Sequence, residues 1–208
     1  MKRFAAIWVS FLLLGANLLA QPVWKLDKEY SSIRFQVENI IVLPQAKEGQ
    51  EDLTMGVTRG KFRDFSISFQ QGAPDFSNSK VEVEIQTNSV DTDNGPRDAH
   101  LRSDAFFDAE KYPVITFKSR SFKKTGKETY RIVGDLTIHG ITHPIELEGR
   151  TNGMVIDNSG RKRLSFKATG RLNRRDYGLT WSSLIENGAF RISSYVQLNI
   201  QSNFIAEK

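Results

Sequence analysis

The stretch RIVGDLTIHGITHPIELEGR, residues 131–150, decides the fold because apolar and polar residues alternate on both sides of a turn. The apolar positions that share a face are Ile132, Gly134, Leu136 and Ile138 before the turn, and Ile145 and Leu147 after it. A period of two is typical of β-strands, because successive side chains point to opposite faces of a sheet. The stretch therefore predicts two strands joined by a turn, HGITHP, that holds both of its histidines.

The same alternation recurs on both sides of this stretch. Further runs begin near Ile33, Phe65, Val81, Val114, Leu164 and Val196, and turn-forming segments such as QQGAPD and KKTGKE separate them. Eight or so strands with short turns indicate an all-β antiparallel meander. Closing such a sheet into a barrel would hide its apolar face and remove exposed edges, although a two-sheet sandwich would use the same pattern.

Residues 97–108, RDAHLRSDAFFD, interrupt the alternation. Pro96 suits the first position of a helix, and Pro113 disfavours helix at the residue before it. We expect a short helical lid at one barrel end, with Phe106 and Phe107 pointing inward. Arg97, Asp98 and Arg102 would then face the mouth.

A second interruption, Val42–Gly56, is polar and irregular between two strands. It predicts a long, mobile loop at a barrel end.

The N-terminus predicts a secretory signal peptide over residues 1–20. Lys2 and Arg3 precede a short apolar run that ends at small residues before Gln21, which is the order of regions in such peptides. An uncleaved membrane anchor is the alternative. Residues 21–208 would form one domain, exported to the periplasm or secreted, with no stable membrane span after cleavage.

Charge and cysteine content exclude several classes of function. The 29 basic residues exceed the 24 acidic ones only slightly and form no block, so no nucleic-acid partner is expected. The chain contains no cysteine. A cysteine nucleophile, a thiolate metal site and an iron–sulfur cluster are therefore excluded.

Four blocks, in order along the chain, resemble the YceI-like family of exported lipid-binding proteins. They are WKLDKEYSSIRFQV, RDAHLRSDAFFDAEKYPVITFKS, GDLTIHGITHPIEL and NRRDYGLTW. The resemblance spans Trp24 to about Ile205. It implies an eight-stranded, lipocalin-like antiparallel barrel that holds a long polyisoprenoid, such as a polyprenyl or quinone-type chain, in an apolar tunnel.

The chain departs from the family pattern in two places. Family members often carry a histidine where this chain has Asn39, and the loop that follows is longer than expected. Both differences bear on the mouth of the tunnel, and so on the headgroup that it recognises.

The candidate tunnel residues are mostly phenylalanines at strand positions, together with the small Ala168, which would leave space. They are Phe35, Phe62, Phe65, Phe69, Phe106, Phe107, Phe117, Phe166 and Ala168. An ordinary packed core would use the same residues, because an eight-stranded barrel is either solid or holds one slender ligand.

The candidate polar contacts at the mouth are Arg97, Asp98, His100 and Asp176. Arg174 and Arg175 in NRRDYGLTW could also meet a headgroup, or could form a salt bridge at the barrel rim. His139 and His143 lie four residues apart, but a turn between strands would separate them, so no metal site is expected.

The sequence therefore predicts a binding protein with no catalytic residues, metal or cofactor, whose partner is an amphiphilic lipid. Two alternatives remain open. One is a hydrolase or isomerase that uses His100 with a lid carboxylate, Asp98 or Asp91. The other is a solid barrel that acts through its surface, in a stress response or as a partner-binding module, with the loop around Glu48–Asp52 as its contact. A homodimer is also possible.

Overall fold

The structure, a computed structural model, describes residues 22–41, 53–181 and 190–207. The predicted signal peptide and the loop segment 42–52 lie outside the described residues. The strands are β1 Trp24–Leu26, β2 Ser32–Ile41, β3 Leu53–Phe62, β4 Phe65–Gln70, β5 Lys80–Gln86, β6 Val90–Asp91, β7 Val114–Lys124, β8 Thr129–Ile138, β9 Ile141–Ile156, β10 Lys162–Asn173 and β11 Phe190–Ala206. Helix α1 spans Gly95–Arg102, and single 3₁₀ turns span Lys28–Tyr30, Thr87–Ser89 and Arg174–Tyr177.

The eleven strand segments form eight barrel strands, because three of the eight are interrupted. A 3₁₀ turn separates β1 from β2, yet both segments pair with the next strand in nearly one register, through Trp24↔Phe69 and Ile33↔Phe62. β3 and β4 are likewise one strand bent at residues 63–64. β5 and β6 together form the third strand, through Phe65↔Ile85 and Phe62↔Val90.

The sheet closes on itself. β11 pairs with β10 on one side and with β1 and β2 on the other, and every pairing is antiparallel. The predicted eight-stranded antiparallel barrel is therefore confirmed, and the two-sheet sandwich is wrong.

The stretch that opened the sequence analysis forms the hairpin β8–β9. Its turn contains only His139 and Gly140, with φ angles of 52° and 73°. Positive φ at both central residues is the geometry of a type I′ hairpin turn, which favours glycine. The turn is shorter than predicted, so His143 lies within β9 rather than in the turn.

Six aromatic residues pack together at one end of the barrel. Ring centroids lie 5.2 Å apart for Phe69 and Phe166, 5.4 Å for Phe69 and Phe204, and 5.1 Å for Phe122 and Tyr130. We call this group the floor cluster; its members are Phe69, Phe76, Phe122, Tyr130, Phe166 and Phe204, and all six are buried. It fills the end of the barrel opposite α1.

Neighbouring side chains cover three inward glycines, Gly134, Gly149 and Gly170. A Cβ atom on Gly170 would lie 2.4 Å from Leu147 Cδ2, and one on Gly134 would lie 2.5 Å from Phe117 Cζ. Glycine is needed there because a strand interior can admit such a close approach only where a side chain is missing. These glycines therefore add no empty space to the interior.

Helix α1 covers the other end of the barrel as predicted. Asn94 is its N-cap and accepts a hydrogen bond from the backbone N–H of Arg97 at 3.0 Å, and a proline stands at the helix start. Phe107 reaches the interior, where its ring lies 6.2 Å from that of Phe62.

The loop predicted over Val42–Gly56 extends too far toward the C-terminus. Its last four residues, 53–56, belong to β3, which begins at Leu53. Among the described ranges, no helix combines the length and apolar character needed to cross a lipid bilayer.

Candidate functional site

A cavity of about 550 Å³ occupies the barrel interior between the floor cluster and α1. Its wall consists of the inward side chains of the strands, which are almost all aliphatic or aromatic. The volume lies within the range typical of small-molecule sites. The barrel is therefore hollow, which contradicts the solid interior that one of the alternatives required.

Eight of the nine predicted tunnel residues line this cavity: Phe35, Phe62, Phe69, Phe106, Phe107, Phe117, Phe166 and Ala168. Phe65 is buried but lies outside the lining. It follows the bend between β3 and β4, and the Lys28 ammonium group lies 5.7 Å from the centre of its ring. The bend therefore turns this ring toward the 3₁₀ turn after β1.

The polar side chains in the lining lie mostly at the α1 end, which we call the mouth. Asn39 and Thr58 stand on paired strands there and share a hydrogen bond of 3.2 Å. Arg97, His100, Arg174 and Trp181 complete this end of the lining. One end of the cavity is thus aromatic and closed, and the other carries hydrogen-bond donors and positive charge.

Arg174 is the most constrained of these residues. It is 2% exposed, and its guanidinium group donates to the backbone carbonyls of Ser193 at 3.0 Å, Trp181 at 2.8 Å and Ile192 at 3.3 Å. It also donates to the carbonyl of Leu179. No carboxylate of the described residues lies within ion-pair distance, and burial lowers the pKa of Arg174 from its ordinary value, with a smaller effect from the charge of Arg175.

This arrangement places a positive charge beside the cavity with no counter-ion among the described residues. The guanidinium carbon also lies 6.0 Å from the centre of the Phe106 ring, within the range of a cation–π contact. Carbonyl dipoles stabilise the charge in place of an acid. Sequence reasoning had left Arg174 between a headgroup contact and a rim salt bridge, and the structure excludes a salt bridge within the described residues.

Arg97 and His100 lie on the same side of α1, because residues three apart share a helix face. The His100 ring packs 4.4 Å from the Trp181 ring, and its Nε2 atom is buried with no hydrogen-bond partner among the described residues. Arg97 donates from Nε to the Thr92 hydroxyl at 2.7 Å and from Nη2 to the Thr92 carbonyl at 2.9 Å.

The two predicted carboxylates of the mouth lie outside the lining. Asp98 is buried and accepts hydrogen bonds from the backbone N–H and the hydroxyl of Thr92, at 2.9 Å and 2.5 Å. Asp176 is exposed and accepts a hydrogen bond from Asn173 at 2.9 Å. Both carboxylates organise loops beside the mouth, so the prediction that Asp98 faces the mouth is wrong.

Neither Asp98 nor Asp91, the two carboxylates considered as partners of His100, forms a hydrogen bond or ion pair with it in the described structure. Asp98 is engaged with Thr92, and Asp91 forms ion pairs with Lys61 at 3.3 Å and with Arg63 at 2.5 Å. A hydrogen bond from the backbone N–H of Asp93, followed by these basic neighbours, lowers the pKa of Asp91 below its usual value. Neither carboxylate orients the imidazole, as a general base would require.

The described part of the chain holds no group of three or more histidine, aspartate or glutamate side chains suited to a metal ion. What the geometry offers is an apolar bore with a polar rim. Such a site can hold an amphiphile by burying its chain and hydrogen-bonding its head.

Comparison with known proteins places the chain in a family. A YceI-like domain is recognised over residues 24–204. Proteins named Protein YceI from Salmonella newport and Salmonella paratyphi B are each 34% identical over 181 residues, which cover 86% of this chain and 87% of theirs.

Solved structures share the fold. The Campylobacter jejuni YCEI protein superposes with a TM-score of 0.65 at 29% identity, over 80% of this chain and 98% of its own. Burkholderia cenocepacia BcnA gives 0.67 at 17% identity, over 86% and 99% of the two chains. A Saccharophagus degradans domain, described as polyisoprenoid binding and implicated in plant cell wall breakdown, gives 0.60 at 16% identity, over 90% and 100%. The chain belongs to the YceI-like family.

Proposed function

We propose that this YceI-like protein sequesters or carries an amphiphilic lipid with a polyisoprenoid chain, and performs no covalent chemistry on it. The observation that carries the proposal is the apolar cavity of about 550 Å³, closed by the floor cluster and polar mostly at its mouth. The polyisoprenoid-binding description of the Saccharophagus degradans domain supports the ligand class.

Chain burial supplies the affinity. Each CH₂ group that leaves water for an apolar site gains about 0.8 kcal/mol, so several isoprene units bind tightly without any polar contact. A slender hydrocarbon chain also matches the interior of an eight-stranded barrel, which is just wide enough for one such ligand.

The mouth would recognise the headgroup. Arg174 brings a buried positive charge, and His100 brings a ring nitrogen without a partner among the described residues. Oxygen-rich heads such as a quinone carbonyl or a prenyl phosphate supply the acceptors that these groups need. The proposal also includes export: the protein would act in the periplasm or outside the cell, without its first 20 residues.

Purification from the native source, followed by mass spectrometry, tests the proposal. Native mass spectrometry should show one polyisoprenoid bound per chain. Under denaturing conditions, the protein mass should match a chain that begins near Gln21. A protein that contains no lipid and takes up no added prenyl lipid would contradict the binding function. A mass that retains Met1 would contradict export alone.

Two substitutions on β10 test whether the lipid binds inside the cavity. Ala168 lines the cavity, whereas its neighbour Thr169 is exposed on the outer face. Ala168→Trp fills the bore and should weaken prenyl-lipid binding at least tenfold, while Thr169→Trp should leave it within about twofold. Equal losses in the two variants would place the lipid outside the barrel.

A further inference from the structure

We infer that the floor cluster sets the length of the chain that the protein accepts, so that the barrel selects polyisoprenoids by their number of isoprene units. The inference rests on the proposed function and deepens it. Three features carry it: the depth of the floor cluster, its support from behind, and the side chains above it.

The floor cluster is two layers thick. Phe69, Phe122, Phe166 and Phe204 line the cavity, whereas Phe76 and Tyr130 lie behind them and do not. Phe166 is central, because its ring centroid lies within 5.2–5.9 Å of those of Phe69, Phe76, Phe122 and Tyr130. A chain end that displaced one front ring would meet a second ring, so the cavity cannot deepen by a single rotation.

The second layer is itself held in place. The Tyr130 hydroxyl donates a hydrogen bond of 3.0 Å to the Asp75 carbonyl. Phe76 has a φ angle of 64°, a left-handed conformation that bulky residues adopt only where their surroundings enforce it. The enforcing contacts include Phe76 N–H to the Ala73 carbonyl at 2.8 Å and the Ser79 hydroxyl to the Phe76 carbonyl at 2.7 Å. Dense packing and a fixed loop therefore make the closed end rigid.

The wall of β10 shows where the bore begins. Its inward residues run from Phe166 at the floor through Ala168 and Gly170 to Leu172 near the mouth. Phe166 fills the barrel section, and Ala168, two residues above it, leaves it open. The barrel interior thus changes from filled to open between Phe166 and Ala168, which are consecutive inward-facing residues of β10.

The depth of the bore predicts a length. On β11, Ile192 lines the mouth end and Ser202 lines the floor end, ten residues away, but β11 bulges by two residues relative to β2 between Ile192 and Val196. The separation therefore equals eight residues of regular strand, which strand rise and barrel tilt convert to about 20 Å along the axis. An extended isoprene unit of four carbon–carbon bonds advances by about 4–5 Å, so the bore holds about four or five units.

A ligand anchored by its head at the mouth then gains affinity with each unit until its tail reaches Phe166. Further units stay in water or force the head away from Arg174 and His100. We expect affinity to rise about tenfold or more per added unit up to the limit and to level off or fall beyond it.

Prenyl alcohols of two to nine isoprene units test this, because the headgroup stays constant while the length varies. Displacement of a fluorescent fatty probe from the full exported chain gives the affinity for each length. We expect a break at about four or five units in the wild-type protein. Phe166→Ala should move the break to a longer chain by about one unit, and Ala168→Leu should move it to a shorter chain by a similar amount.

Leu172→Ala is the matched control. Leu172 lines the cavity on the same strand face but at the mouth end, so its truncation should weaken all lengths alike and leave the break in place. If Phe166→Ala does not fold, Ala168→Leu alone decides. A wild-type affinity that keeps rising to nine units, or a break that neither floor variant moves, overturns the inference while leaving lipid binding intact. Failure to bind any prenyl alcohol overturns the proposed function as well.

Discussion

At the scale of single residues, Tyr177 shows a buried polar atom that the fold tolerates. Its side chain is 1% exposed, and its hydroxyl has no hydrogen-bond partner among the described residues. Burial, helped by the charge of Asp176, raises the pKa of Tyr177 to about 12. The neutral phenol is therefore the form that the folded barrel accepts.

Alkaline pH should destabilise the protein through this residue. A tyrosine of the unfolded chain releases its proton near pH 10, whereas folded Tyr177 keeps its proton until about pH 12. The neutral phenol thus contributes its full stability below about pH 10, and that contribution is lost as pH rises toward 12. We expect Tyr177→Phe to flatten the fall in unfolding free energy above about pH 10, measured by urea denaturation at several pH values.

At neutral pH, Tyr177→Phe should change stability by less than about 1 kcal/mol, because no hydrogen bond among the described residues is lost. Tyr130→Phe is the matched variant. It loses the hydrogen bond to Asp75, which should cost about 1 kcal/mol. If Tyr177→Phe lowers the unfolding free energy more than Tyr130→Phe at neutral pH, the Tyr177 hydroxyl forms a hydrogen bond in the folded protein.

The residue scale also shows why Asp98 was placed wrongly from the sequence. Arg97 and His100 are three residues apart and share a face of α1, whereas Asp98 lies about 100° round the helix from Arg97. The helical period alone could therefore have separated it from the mouth. The contact between Asp98 and Thr92 depends on how the helix packs on the barrel. Local sequence patterns do not predict that packing.

At the scale of elements, α1 is held on the barrel by a few polar contacts. Asn94 caps its first turn, Asp98 accepts two hydrogen bonds from Thr92, and Arg102 donates to the carbonyl of Val90 at 3.3 Å. The residues that line the mouth, Arg97 and His100, depend on these anchors for their position.

Asp98→Ala should loosen this helix. Removing the buried carboxylate leaves the backbone N–H of Thr92 unpaired and its hydroxyl proton without an acceptor, which should cost about 2–3 kcal/mol of unfolding free energy. Hydrogen exchange should rise in residues 95–107, and a bound lipid should dissociate faster. Asp104→Ala, an exposed change in the segment after the helix, is the control and should alter neither quantity. Similar exchange in both variants would mean that Thr92 does not anchor the helix.

The elements differ in how far the sequence predicts them. Period-two alternation identified the hairpin β8–β9 and the inward phenylalanines, because a strand has only two faces. It did not place the bend at residues 63–64 that takes Phe65 off the cavity, because a bend depends on closure of the whole sheet. It also could not distinguish a hollow interior from a solid one, since both use the same apolar residues.

At the scale of the whole molecule, the first and last strands meet in a seam that salt bridges cross. Arg163 of β10 contacts Asp27, which follows β1, at 2.8 Å, and Asp157 in the β9–β10 turn at 2.7 Å. β11 lies between β10 and β1. Arg163 therefore joins the β9–β10 hairpin to the N-terminal strand across the C-terminal one.

Acid should weaken this seam. The Arg163 guanidinium group, followed by the backbone N–H of Arg161, holds the pKa of Asp157 well below its usual range. A lowered folded-state pKa gives stability that is present above the ordinary pKa near 4 and is lost as pH falls below it. We expect Arg163→Met to lower the urea midpoint at neutral pH and to reduce the further loss on acidification.

Arg161→Met is the control for that experiment. Arg161 also contacts Asp157, at 3.0 Å, but it makes no ion pair with Asp27. It should therefore lower the urea midpoint less than Arg163→Met does. Equal shifts would show that the link within the turn matters and that the link across the seam does not.

Closure of the barrel at the floor cluster has a consequence for how a lipid would enter and leave the cavity. Within the described residues the floor cluster closes one end, so a lipid that entered tail first through the mouth, as proposed, would leave head first. The surface that surrenders the guest and the surface that receives it would have to meet the same face of the protein, at different times. A protein that binds lipid in the proposed way would act as a carrier between two membranes rather than as a continuous path between them.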